Sequence, residues 1–186
     1  MQIGTVQVEI VHIDPVIDIT IRGAFALLFA LAAMEKLNDR ETFQYQLEEY
    51  QLVPTGLIPV AGMAIIFAEV AIAIALLIQD SFYGVMMGSS LLAVYASAIL
   101  INLIRGRTWM DCGCLGSAGE GLSYWLVTRN LVMLATLMIL LVPTVERTLV
   151  WLDYFSILFT VFGACLAYVV LNTLLAANTR SKTWWS

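Results

Sequence analysis

Cys112-Gly113-Cys114 is the densest piece of chemistry in this 186-residue chain. Two thiols separated by one glycine can close a disulfide without any distant part of the protein moving. The resulting ring is tight, and departures from relaxed disulfide geometry ease reduction. Accessible, strained disulfides tend to be catalytic or regulatory. Asp111 and Gly116 flank the pair and give it a polar setting, which a reactive thiolate needs. Cys112 and Cys114 are therefore the candidate catalytic residues of a thiol–disulfide oxidoreductase or accessory electron relay. Adjacent thiolates also suit Cu(I) or zinc, so a soft-metal carrier is an alternative. No His or carboxylate cluster beside the pair completes a metal site, and His12 stands alone. Cys165 lies within an apolar run and reads as a small buried hydrophobe.

Charges inside apolar runs form the second candidate group, because such charges are costly in a membrane. Glu69 and Arg129 lie at overlapping depths, about 18 Å and about 10 Å along their runs at 1.5 Å per residue. They can form an ion pair, or Arg129 can stabilise a thiolate while Glu69 balances it or handles a proton. Lys36, Glu35, Asn102 and Asn130 should cluster in the same half. Asp18 and Arg22 form a separate local i,i+4 pair. A quinone is a cofactor the chain could hold. Tyr124, Trp125 and Arg129 would line its pocket, unless they simply face lipid.

The elements that position these residues are membrane spans. The chain is 61% hydrophobic and 12% charged, with a mean hydropathy of +0.88; soluble domains carry about 25% charged residues. Five blocks, at 16–37, 57–79, 82–104, 122–142 and 150–176, approach the roughly 20 residues that cross a bilayer. Lipid leaves no partner for unpaired backbone groups, so each block should be helical. This predicts an all-α polytopic helical bundle. Its parts are an arm at 1–15, a membrane-embedded domain at 16–178 with the CGC loop at 105–121, and a tail at 179–186.

Residues 1–14 alternate, with Val6, Val8 and Ile10 on one side and Gln7, Glu9 and Val11 on the other, and suggest a short strand or extended arm, either loose or available for strand addition. Asn38-Asp39 caps a short amphipathic helix carrying Phe43, Leu47 and Tyr50, which Pro54 should stop. Gly84 with Gly88, and Gly163 with Ala167, are small-residue pairs suited to close helix packing. No basic n-region precedes the first block, and no basic stripe suggests nucleic-acid binding.

If all five blocks cross, Lys36, Arg40, Arg105, Arg107, Arg180 and Lys182 share one side and Arg147 lies opposite. The positive-inside rule then makes the CGC side cytoplasmic and the N-terminus periplasmic.

The run Met110-Asp111-Cys112-Gly113-Cys114-Leu115-Gly116, with Arg129-Asn130 in the next block, resembles the methylamine-utilisation MauE family. Glu35-Lys36-Leu37, Leu52-Val53-Pro54 and Glu69 extend the resemblance over about residues 16–142. Many relatives carry an aromatic residue at the position of Leu115, a departure that leaves both thiols in place.

The resemblance implies a multi-pass protein of the bacterial inner membrane that helps mature the disulfide-rich small subunit of methylamine dehydrogenase. It implies a thioredoxin-like, membrane-anchored MauD-type partner, whose CxxC pair would exchange disulfides with Cys112 and Cys114. A non-catalytic assembly platform is a further alternative. The implied substrate is periplasmic, whereas the charge count turns the loop inward. Transmembrane relay, a deeply re-entrant loop, or a block that does not cross would reconcile the two.

Overall fold

The structure is a computed structural model that describes residues 12–78, 82–107 and 122–183, with side chains not described at 172 and 175–183. Helix α1 spans Pro15–Asn38. Asp14 caps it by accepting the Val16 N–H at 2.8 Å, and Pro15 sits in the first turn, where its missing N–H costs nothing. Helix α2 (Arg40–Glu49) follows, then a 3₁₀ turn at Thr55–Leu57 leading into α3 (Ile58–Leu77). Helix α4 is Phe82–Ile104 and α5 is Tyr124–Met138, extended by a 3₁₀ turn at Ile139–Leu141. Helix α6 runs Trp151–Thr183, seven residues beyond the block expected from hydropathy.

Five of these segments are long and apolar enough to cross a bilayer, and the protein is an all-α multi-pass membrane protein. Large hydrophobic side chains such as Phe67, Ile74, Tyr83, Ile104 and Phe159 point outward. An exposed apolar surface this extensive is what lipid contact requires.

Between helices in lipid, close packing replaces the hydrophobic effect as the main driving force. Helix α1 packs on α3, α4 on α5 and α3, and α6 on α1. The Gly84–Gly88 pair does this work at the centre. A Cβ on Gly84 would meet the Ala75 backbone carbon at 2.9 Å, and one on Gly88 would meet Leu137 Cδ2 at 2.9 Å. Around them Phe29, Ile72, Leu76, Leu92 and Leu137 form the main core. The Gly163 expectation fails, because nothing lies within 4 Å of a Cβ built there. Helix α6 docks instead through Val161, whose Cγ2 would lie 3.3 Å from a Cβ on Gly23. Cys165 is buried in the same seam, its Sγ 3.9 Å from the Ala24 carbonyl oxygen.

Two clasps define the faces of the bundle. On one face, Ile13 N–H donates to the Pro143 carbonyl at 3.0 Å and Val145 N–H donates to the Ile13 carbonyl at 2.9 Å. The described end of the N-terminal arm thus pairs within its own chain; residues 1–11 lie outside the described residues. Arg147 reinforces this clasp by bonding Asp14 at 2.9 Å and Asp153 at 2.9 Å. On the other face, Arg107 Nη2 donates to Gln51 Oε1 at 2.6 Å, and Leu122 packs with Tyr50, Ile99 and Leu126.

Helix α2 lies on this second face against α3. Asp39 caps it as expected, accepting the Thr42 N–H at 3.0 Å. The helix ends at Glu49 rather than at Pro54, because Gln51 takes a left-handed φ of 50°. That conformation reverses the chain before proline is reached.

Candidate functional site

Four membrane helices each bring a polar side chain toward the second face. Lys36 lies at the end of α1 and Glu69 lies about 16 Å into α3. Tyr95 lies on α4 about 14 Å from its end, and Arg129 about 8 Å into α5. The bundle brings all four to one cavity of about 40 Å³, together with Asn130 and Tyr168. A volume of that size holds roughly one water, whose share of liquid volume is about 30 Å³.

Glu69 is the centre of the cluster and is 1% exposed. Its Oε1 accepts from Lys36 Nζ at 2.6 Å and from Tyr95 Oη at 2.7 Å. The ion pair inferred between Glu69 and Arg129 is therefore replaced by Lys36–Glu69. Depth counting placed Glu69 and Arg129 correctly at one level, but the rotation of α1 delivers the lysine. Arg129 shares the cavity, and its guanidinium lies 5.6 Å from the centre of the Tyr168 ring. Lys36 likewise lies 5.5 Å from the Phe43 ring centre and 5.7 Å from that of Tyr95. Faces of aromatic rings attract cations, and more strongly where water is excluded.

Among the described residues, Oε2 of Glu69 and the Nε atom of Arg129, whose guanidinium interacts elsewhere, accept or donate no hydrogen bond. An acceptor and a donor bordering a water-sized cavity suit a bridging water or an entering polar group. Asn130 Nδ2 donates to the Leu126 carbonyl at 2.9 Å, and Asn102 Nδ2 to the Ala98 carbonyl at 3.1 Å. Each of these amides back-bonds its own helix.

All four supporting residues read from the sequence, Lys36, Glu69, Arg129 and Asn130, thus meet at one place. Cys112 and Cys114 lie outside the described residues. Among the described residues, which do not include those two thiols, no group of three or more His, Cys, Asp or Glu forms a metal site. Tyr124 and Trp125 are 68% and 51% exposed, so they face outward and do not line a quinone pocket with Arg129.

Tyr95 and Tyr168 escaped the sequence reading. The signal was available, since a tyrosine hydroxyl within a lipid-embedded span needs a hydrogen-bond partner. Asp18 and Arg22 pair at 2.7 Å, well buried and near the opposite face.

The family profile described as "Methylamine utilisation protein MauE" matches residues 14–143. The chain belongs to the MauE family. Among individual MauE proteins, that of Paracoccus denitrificans is 34% identical over 125 residues, covering 66% of this chain and 67% of the relative. The MauE of Methylorubrum extorquens is 32% identical over 119 residues, covering 63% of this chain and 64% of the relative. No solved structure matches. The MauE match takes in α1 to α5, and with them Lys36, Glu69, Tyr95, Arg129 and Asn130; Tyr168 lies beyond it. Membership in MauE places the chain in methylamine utilisation.

Proposed function

We propose that this MauE protein is a thiol–disulfide relay of the bacterial inner membrane, with its N-terminus in the periplasm. Cys112 and Cys114 exchange disulfides with a thioredoxin-like MauD-type partner, and the products of that exchange bridge the small subunit of methylamine dehydrogenase. The partner's thiolate attacks the Cys112–Cys114 disulfide and forms a mixed disulfide; the partner's second thiol resolves it, so the partner leaves oxidised and Cys112 and Cys114 are left as a dithiol.

The observation that carries this reading is the polar cluster on the face where the chain enters and leaves the CGC segment. Arg107 and Leu122 bracket that segment and are both held on the second face. Among the described residues, the cluster holds the cations of Lys36 and Arg129 and the carboxylate of Glu69. A net positive environment favours a thiolate over a thiol.

Lys36 is buried in the ion pair with Glu69, so it leaves the count of loop charges. Arg40, Arg105, Arg107, Arg180 and Lys182 still oppose Arg147 alone. The charge bias points the CGC face inward, so direct exchange requires outward access of the thiols in at least one redox state. A membrane-impermeant maleimide applied to intact cells should label Cys112 or Cys114 after reduction. Protection from that reagent in both reduced and oxidised cells would exclude direct exchange.

The relay itself is tested by trapping. With the native Cys112–Cys114 pair and a partner variant lacking its resolving cysteine, acid quenching and alkylation should capture a mixed disulfide between the partner and one of the two cysteines. Full maturation of the dehydrogenase by both Cys112→Ser and Cys114→Ser proteins would overturn the relay.

A further inference from the structure

Lys36 and Tyr95 border a second, partly open cavity of about 180 Å³, lined by residues of α2, α3, α4 and the connection between α2 and α3. Its walls are largely apolar and include Phe43, Leu47, Tyr50 and Ala98. The polar atoms of Lys36 and Tyr95 converge on Glu69 Oε1, so this end of the cavity abuts the ion pair.

Size, charge, position and redox chemistry restrict what fits. An apolar cavity of about 150 Å³ admits benzene, so this one accommodates a single six-membered ring. The ammonium of Lys36 is already neutralised by Glu69 at 2.6 Å. A charged ligand would unbalance that pair, whereas a neutral acceptor oxygen can take another of the three donors on the ammonium. Tyr50, a wall of the cavity, also packs with Leu122, where the chain returns from the CGC segment. Gln51, next in sequence, holds Arg107, where the chain departs.

The fourth restriction rests on the relay reading. Closing a dithiol to a disulfide breaks two S–H bonds, forms one S–S bond and releases two electrons and two protons. The acceptor must take both, and in this cavity it must be lipid-soluble and neutral.

We infer that the cavity binds the head group of a membrane quinone, which re-oxidises the Cys112–Cys114 dithiol. Each quinone carbonyl oxygen gains a proton, the ring gains two electrons, and hydroquinone leaves into the bilayer. Lys36 donates to one carbonyl oxygen, and the ring lies among Phe43, Tyr50 and Tyr95.

The test is photolabelling with an azidobenzoquinone carrying a decyl tail, on full-length protein in quinone-depleted nanodiscs. Labelled peptides should fall in residues 43–53 and 94–99. Labelling should drop at least fivefold in Ala98→Phe, which fills the cavity, and stay within twofold in Leu100→Phe, an exposed neighbour. Competition with unlabelled decylquinone on the wild-type protein gives a readout that needs no variant to fold. It should abolish labelling, whereas excess phosphatidylglycerol should not.

The labelling should persist in the Cys112→Ser/Cys114→Ser protein, so binding is read independently of the relay. Label spread over the lipid-facing helices, or displaced equally by phospholipid, would make the cavity an acyl-chain site and overturn the inference. Specific labelling combined with serine variants that mature the dehydrogenase would leave the quinone site standing and remove its role in thiol oxidation.

Discussion

Replacing Lys36 by methionine should destabilise the bundle by about 3 kcal/mol, toward the lower end of the range of about 3–5 kcal/mol seen when one partner of a buried pair is removed. The ammonium and the Glu69 carboxylate are 2.6 Å apart, with side chains 7% and 1% exposed. At an effective dielectric of about 20, unit charges at that separation attract by roughly 6 kcal/mol. Taking both ions out of water costs several kcal/mol each and offsets much of this. The intact pair is thus worth little net, whereas one charge stranded in the bundle is expensive. Glu69→Gln should cost a similar amount, because the lysine is then stranded. The Lys36→Met/Glu69→Gln protein should be more stable than the sum of the single losses by at least about 1.5 kcal/mol, within the range found for contacting residues. Equilibrium unfolding in mixed micelles, titrated with a denaturing detergent and followed by circular dichroism, measures all three. Additivity within about 0.5 kcal/mol, the behaviour of independent sites, would refute the placement of these two side chains in one ion pair.

Asp39→Ala removes the cap that accepts the Thr42 N–H and should cost about 1 kcal/mol; faster amide exchange at residues 42–44 would register it. Gly84→Val should prevent stable folding, because even a Cβ meets the Ala75 backbone at 2.9 Å, whereas Gly163→Ala should leave thermal stability unchanged. On the first face, hydrogen bonds from the Arg147 guanidinium and then from the Val16 N–H hold the Asp14 carboxyl below its ordinary value of 3.8. A lowered folded value means that the clasp contributes fully above the ordinary carboxylate pKa and is lost as pH falls through the lowered one. Protection of the Val145 amide should therefore be constant from about pH 5 to 8, above the ordinary carboxylate range, and fall only below it. Loss of protection near neutrality would contradict the Asp14–Arg147 contact.

The spans were legible in the sequence because lipid tolerates only long apolar helices, and the polar half was legible because depth follows from counting residues. Pairing within that half was not. Counting fixes how far Glu69 and Arg129 lie along their helices but not how the helices rotate, and rotation decides that Glu69 meets Lys36 and Tyr95. The end of α2 was misread for a local reason, since Pro54 is the conspicuous breaker while Gln51 carries the left-handed turn. Gly163 shows the limit of small-residue spacing, which marks where close approach is allowed and not where it occurs. The tyrosines were missed because aromatic residues in a span read as apolar filler until their hydroxyls are considered.

Tyr168 belongs to α6, which follows the other spans along the chain, yet its ring stacks near the Arg129 guanidinium. Four helices can be threaded into the bilayer while that flank of the cluster still borders hydrocarbon. Docking of α6 against Gly23 and Ala24 then shuts the flank. The later-arriving helix acts as a gasket, and the charged interior acquires its insulation only once α6 has docked.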